Sequence, residues 1–290
     1  MTNIVNLTLQ ISMLVFIIGN VLDIGLGLKF RGALAGLKNP RFVIQSLLWG
    51  FILCPALAIL LTKVMPLDPA YGTGLILMGL APCAPLLPMM AAKSRGDLGY
   101  TASFILLASV VTVIYMPFAV PILIKGVSVS AWAIAKPLLL YILLPLIIAM
   151  LIKEFYERIA ERIQPYVKKT TGLATIIMLA AFVLVYYKDL LSAVGEYAIL
   201  TLIVFFLITI VTSYLFSFGL PGNQKSVLSL GVSTRNLGAA FATLSSMSQV
   251  DQRATVIVAL AVPIQVIISL IAARFFGRSV AKGEAELKVS

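Results

Sequence analysis

The stretch Leu230-Gly231-Val232-Ser233-Thr234-Arg235-Asn236-Leu237-Gly238-Ala239-Ala240 sets one arginine in the middle of an apolar run. The run extends from about Pro221 to Gln249, and its one other charge is Lys225 near the start. A segment of this length crosses a bilayer, and an arginine near the bilayer centre costs roughly 2.5–3.5 kcal/mol even on the insertion scale. A chain keeps such a residue when it binds something. The expected class is therefore a membrane protein that handles an anion.

Composition agrees with the membrane half of that reading. Of 290 residues, 61% are hydrophobic and 11% charged, whereas a soluble surface needs about 25% charged residues. The first apolar segment lacks a basic leader and a small-residue cleavage site, so no cleavable signal is expected. The net charge of +11 does not imply nucleic acid, because the basic residues fall between apolar runs, where they set topology. Histidine is absent, which removes histidine relays and Ser-His catalysis. No GxSxG, metal cluster or paired intramembrane carboxylates appear, so no enzyme is expected. Cys54 and Cys83 both lie inside apolar segments, against a disulfide framework.

Runs of about 20 apolar residues predict nine spans, roughly 4–28, 41–65, 70–92, 98–124, 131–152, 169–187, 192–219, 222–249 and 253–275. Sixteen lysines and arginines fall on one side of this arrangement, five on the other, and Arg235 within a span. The bias puts the N-terminus outside and the C-terminus in the cytoplasm, in a cell membrane of the bacterial inner-membrane kind. The segment from Glu154 to Lys169 alternates charge with Phe155, Tyr156, Ile159, Ile163 and Tyr166 and is expected to lie as a helix in the interface.

The two halves echo each other. Thr112-Val113-Ile114 and Ala119-Val120-Pro121-Ile122 recur as Thr255-Val256-Ile257 and Ala261-Val262-Pro263-Ile264, five spans later. Leu75 to Gly79 is matched by Val227 to Gly231. An odd offset inverts the second copy. This predicts one transporter domain over 1–290, with repeat one at 1–125, a linking helix at 131–152 and repeat two at 168–276. Secondary carriers built this way hold their site at midplane, where discontinuous helices meet. Pro82, Pro85 and Pro88 break the third span, and the polar run Ser233 to Gly238 stands at the matching place in the eighth. Each proline removes a backbone donor. The half-helix N-termini and Arg235 would together suit a carboxylate.

These residues resemble the bile acid:sodium symporter family. The first broken helix ends in Arg95-Gly96-Asp97, and the second holds Arg235-Asn236 followed by Gly238-Ala239-Ala240. The resemblance implies an all-α fold with two inverted repeats and two broken crossing helices. It implies a core of spans two to four and seven to nine, and a panel of spans one, five and six, with substrate in the crevice between. It also implies sodium as a co-transported ion, and no other cofactor is expected. Sodium-coupled members carry Pro-Gly-Gly and Ser-Asn in the first crossing helix; the positions here are Pro82, Cys83, Ala84, Leu87 and Pro88. They carry a glutamate and then Gln-Asn in the second, where this chain has Gly231, Arg235 and Asn236. The expectation is that the guanidinium stands where sodium would neutralise the crossover, leaving sodium coupling in doubt.

The expected substrate contacts are Arg235, Asn236, Ser233, Thr234 and Cys83, with Pro82, Pro85, Pro88 and Gly238 shaping the crossover backbone. For Arg235 the alternative is a structural arginine bonded to carbonyls of the opposite broken helix. Asp23 would pair with Arg235 or carry a coupling proton; its alternative is a carboxylate near the headgroups. Gln45, Gln265 and Asn20 are crevice-lining candidates or packing polar residues. Gly25 and Gly27 allow close helix packing. The leading function is secondary transport of an organic anion, bile-acid-like or smaller, with the lipid bilayer as the other partner. The alternatives are sodium symport, metalloid export through Cys83, and a sensor on a transporter fold.

Overall fold

The computed structural model describes residues 2–83, 85–124, 129–247 and 250–287; Ala84, Lys125, Gln249 and Lys288 lie outside them. Among the described residues the regular structure is helical, apart from one isolated antiparallel bridge between Pro82 and Arg235. Seven stretches among the described residues are long and apolar enough to cross a membrane. They are α1 (Thr2–Gly27), α3 (Pro40–Leu48) with α4 (Cys54–Val64), α7 (Leu98–Leu123), and α8 (Ala131–Leu138) with α9 (Leu144–Phe155). The others are α10 (Glu157–Gly195), α11 (Ala198–Leu215) and α14 (Gln252–Leu287). The short α2 (Phe30–Gly36) joins the first two stretches. The two remaining expected spans are interrupted. Segment 70–92 forms α5 (Pro69–Leu80) and α6 (Leu87–Lys93), and the other forms α12 (Gly222–Ser233) and α13 (Leu237–Leu244).

Helix starts follow side chains that satisfy the orphan N–H groups of a first turn. Asn39 accepts from the N–H groups of Arg41 and Phe42, Asp68 from Ala70 and Asp97 from Tyr100. Pro40 and Pro69 then fill first positions that need no donor. Two spans carry one wide π turn each, Trp49–Leu53 and Leu139–Leu143. Each is followed by a proline, Pro55 or Pro145, in the first turn of the next helix. Proline lacks the donor that would close the turn, so carbonyls before it are left to other partners. Around Pro55, Tyr115 Oη donates to Phe51 O at 2.9 Å, and Arg235 reaches Gly50 O at 3.5 Å.

One expectation is corrected. The segment 154–169 is not a separate helix, because the helix that starts at Glu157 runs on to a kink at Tyr186 (φ −113°, ψ 25°) and continues beyond it to Gly195. Residues 157–185, before the kink, rise about 44 Å at 1.5 Å per residue, against a hydrocarbon core of about 30 Å. Residues 157–171 hold one proline and no glycine, and Gln164 and Thr171 seat this part against α1. A Cβ on Gly27 would stand 2.9 Å from Gln164 Nε2, and one on Gly19 would meet Thr171 Oγ1. The linking helix, expected at 131–152, continues through α9 to Phe155.

α1 packs most extensively along α10 and α9, while α5 packs on α14 and α4, and α12 on α11 and α14. At Gly25 the α1–α9 contact leaves no room: a Cβ would lie 2.5 Å from Ala149 Cβ and 2.9 Å from Leu146 O. Gly25→Val is therefore expected to cost about 1–3 kcal/mol of overpacking. The readout is a lower thermal-unfolding midpoint in detergent; an unchanged midpoint would show that α1 and α9 are not this close.

The loops sort onto two ends. At one, Asn39 Nδ2 donates to Tyr100 Oη at 3.0 Å and to Gln224 Oε1 at 3.4 Å. There Lys29 pairs with Glu157, Arg31 with Glu154, and Lys153 with Glu157 and Glu161. At the other end Arg253 pairs with Asp68 and Asp251 at 2.9 Å and approaches Glu196 at 3.8 Å. This joins the α4–α5 loop, the end of α10 and the start of α14.

Candidate functional site

The two interrupted helices meet through their unwound backbone. Asn236 N–H donates to Ala81 O at 2.8 Å, and Cys83 N–H donates to Thr234 O at 2.8 Å and Gly231 O at 3.1 Å. Pro82 and Pro85 lie in the break, where helix would need their missing donors, and Pro88 sits in the first turn of α6, where it would not. Cys83 is held at φ 76°, a left-handed conformation that costs a residue with a Cβ about 1–3 kcal/mol. Cys83→Gly is thus expected to be tolerated or mildly stabilising, and the β-branched Cys83→Val to lose about 2 kcal/mol. Paired melting curves check this; equal losses from both changes would contradict it.

Arg235 is the largest fully buried side chain among the described residues and is 0% exposed. Its Nε donates to Met78 O at 2.7 Å, Nη1 to Val232 O at 2.7 Å, and Nη2 to Gly79 O and, more weakly, Gly50 O. Met78 and Gly79 end α5, and Val232 ends α12. The guanidinium therefore sits at two helix C-termini, each carrying roughly half a negative charge. Together they balance one cation without a carboxylate.

The neighbouring residues serve the same junction. Asn236 Oδ1 accepts from Ala239 N–H at 3.1 Å, so the N-terminus of α13 is closed by its own cap. Ser233 and Thr234 hydroxyls donate to Leu230 O. Gln265 Oε1 accepts from the backbone N–H of Arg235 at 2.9 Å, and Gln45 Nε2 donates to Phe218 O at 2.7 Å. Gly238 packs against Ile17 of α1. Cys83 is 6% exposed, which leaves a metalloid little approach to its thiol. The structure thus gathers Arg235, Asn236, Ser233, Thr234 and Cys83 at one crossover, with Gln265 behind them. Gln45 stands apart, against the loop after α11.

Open space lies on either side of this junction, along α1. A cavity of about 530 Å³ is lined by Asn20 and Asp23 of α1, by Pro85, Pro88 and Met89 of the first crossing segment, and by Gln164, Lys168, Thr171 and Thr175 of α10. A second, of about 430 Å³, is lined by Gln10, Met13 and Ile17 of α1 with Tyr141, Ser245 and Ser246. Asp23 is engaged by Gln164, whose Nε2 donates to its Oδ1 at 3.1 Å and its O at 3.0 Å. The expected pairing of Asp23 with Arg235 is corrected accordingly, because the guanidinium's bonds go to backbone carbonyls. Sequence reasoning placed Asn20 and Asp23 near the crevice but passed over the α10 stripe. Its signal was present: positions 164, 168, 171 and 175 are spaced to share one helix face.

Two interrupted helices thus cross through unwound backbone, inside a bundle of helices long and apolar enough to span a membrane and beside polar cavities. The chain belongs to the sodium bile acid symporter family, whose model matches residues 13–193. It is 22% identical over 228 residues to the probable sodium/metabolite cotransporter BASS1, chloroplastic, of Arabidopsis thaliana, covering 77% of this chain and 57% of that one. It is 21% identical over 262 residues to the Arabidopsis thaliana BASS3 protein of the same description, covering 89% and 61%. The BASS3 protein of Oryza sativa subsp. japonica is 21% identical over 197 residues, covering 68% and 47%. The chain thus spans about half the length of the curated relatives it matches.

Proposed function

We propose that the protein is a secondary carrier of a small organic anion, bile-acid-like or a smaller carboxylate, and works by alternating access. In this reading α5–α6 and α12–α13 are the third and eighth of nine spans, and the halves 1–125 and 168–276 are inverted about the linking helix. Spans two to four and seven to nine form a core that rocks against the panel of spans one, five and six. The basic bias puts the N-terminus outside and the C-terminus in the cytoplasm, in a cell membrane of the bacterial inner-membrane kind. The 530 Å³ cavity then opens inward, with the Arg253 cluster tying the panel's α10 to the core at the outer end.

The observation that carries the reading is the enclosure of Arg235 at the crossover. A sodium ion needs oxygen ligands, and here the carbonyls of Met78, Gly79 and Val232 already serve the guanidinium. Arg235 would act on transport as a fixed internal cation, through the charge balance of the crossover. Substrate contact passes to the cavity beside it, and coupling is independent of sodium. The second reading, sodium symport, is favoured by the relatives' description as probable sodium/metabolite cotransporters.

Counterflow in proteoliposomes tests the carrier. Vesicles loaded with unlabelled carboxylate should accumulate the labelled one transiently, whereas a sensor would bind it without exchange.

A further inference from the structure

The cavity beside the crossover carries one cation and one anion on facing panel helices, Lys168 on α10 and Asp23 on α1. The opposite wall, with Pro85, Pro88 and Met89, is apolar. A plain carboxylate entering this space gains Lys168 but meets the like charge of Asp23, a juxtaposition that recognition sites avoid. A carboxylate that also bears a hydrogen-bond donor satisfies both. Gln164 holds Asp23 through Oδ1 and the backbone carbonyl, which leaves the second carboxylate oxygen, Oδ2, to accept from a ligand. Asn20, Thr171 and Thr175 add neutral donors and acceptors along the same two faces.

We infer that the preferred substrate is a small carboxylate carrying an ammonium or hydroxyl group. Lys168 receives the carboxylate, Asp23 receives the donor, and the crossover prolines and Met89 receive the apolar remainder. The inference rests on the carrier reading above and narrows it. Gly27 belongs to the same device, since a side chain there would displace Gln164 from Asp23.

The test compares three probes of one carbon skeleton: 3-methylbutanoate, 2-hydroxy-3-methylbutanoate and valine. Their affinities for the purified full-length protein in detergent are measured by calorimetry, alongside counterflow of each. The hydroxy or amino acid is expected to bind at least about tenfold tighter than the plain acid, the scale of one charge-assisted hydrogen bond. Lys168→Gln should weaken every probe about tenfold or more. Asp23→Asn should abolish the preference for the donor-bearing probes while leaving the plain acid bound as well or better. It keeps the backbone carbonyl that Gln164 uses, so folding is preserved, and unchanged melting curves confirm this. Tighter binding of the plain acid, or a donor preference that survives Asp23→Asn, overturns the inference while exchange of any probe leaves the carrier reading intact. Absence of exchange for all three, and for larger carboxylates, counts against the carrier reading itself.

Discussion

Replacing Arg235 with alanine is expected to destabilise the protein by about 3–5 kcal/mol, the scale seen when one partner of a buried charged arrangement is removed. The loss has two sources. The carbonyls of Gly79 and Val232 lose their donors in a place water does not reach, at about 1–3 kcal/mol for each group left unsatisfied, while Met78 O keeps the N–H of Ala81 at 3.2 Å. The C-termini of α5 and α12, each 12 residues long, are then left facing one another with like partial charges. Arg235→Lys should recover only part of the loss, since an ammonium restores charge but not the planar fork that reaches three helix-end carbonyls at once. Thermal unfolding in detergent reads the series. Sodium chloride should raise the midpoint of Arg235→Ala more than choline chloride does, by refilling the vacated oxygens, and should have no such effect on the parent protein. An alanine variant as stable as the parent would show that the guanidinium does not hold the crossover.

Gly231→Glu is expected to abolish the folded protein. A Cβ at Gly231 would stand 2.7 Å from Cδ1 and Cε1 of Phe104. Phe104 is 1% exposed and packs edge-on against Phe42 at 6.2 Å, so its ring has nowhere to turn. Gly231→Ala isolates the steric part. It gains about 1 kcal/mol of helix propensity against about 1–3 kcal/mol of overpacking, for a modest net loss. In a Phe104→Ala background the clash is gone and the same change should become neutral or stabilising, a coupling that a double-mutant cycle measures. An additive cycle would mean that Phe104 does not occupy this space.

Much of this was legible in the chain. Asn39-Pro40 and Asp68-Pro69 announce helix starts because a capping oxygen and a donorless residue suit a first turn. Pro82 and Pro85 announce a break because helix there would need the donors they lack, and Pro88 suits the first turn of the helix that follows. The prolines of the echoed motifs, Pro121 and Pro263, both lie inside long helices. What Arg235 touches was not legible: the carbonyls of Gly50, Met78 and Gly79 are more than 150 positions away in sequence, and backbone oxygens leave no mark on residue identity. The π turn that frees Gly50 is equally silent. Lys168 was hidden for another reason. Counted as a loop charge, it drops out of the stripe it shares with Gln164, Thr171 and Thr175, and only the unbroken run of α10 puts it back.

The most direct measurement is the initial rate of carboxylate uptake into proteoliposomes under an inward sodium gradient and under choline at equal ionic strength. With the guanidinium balancing both helix ends, the two rates are expected to be the same. A rate that climbs steeply with the sodium gradient would contradict the placement of a permanent cation where the ion would have to bind.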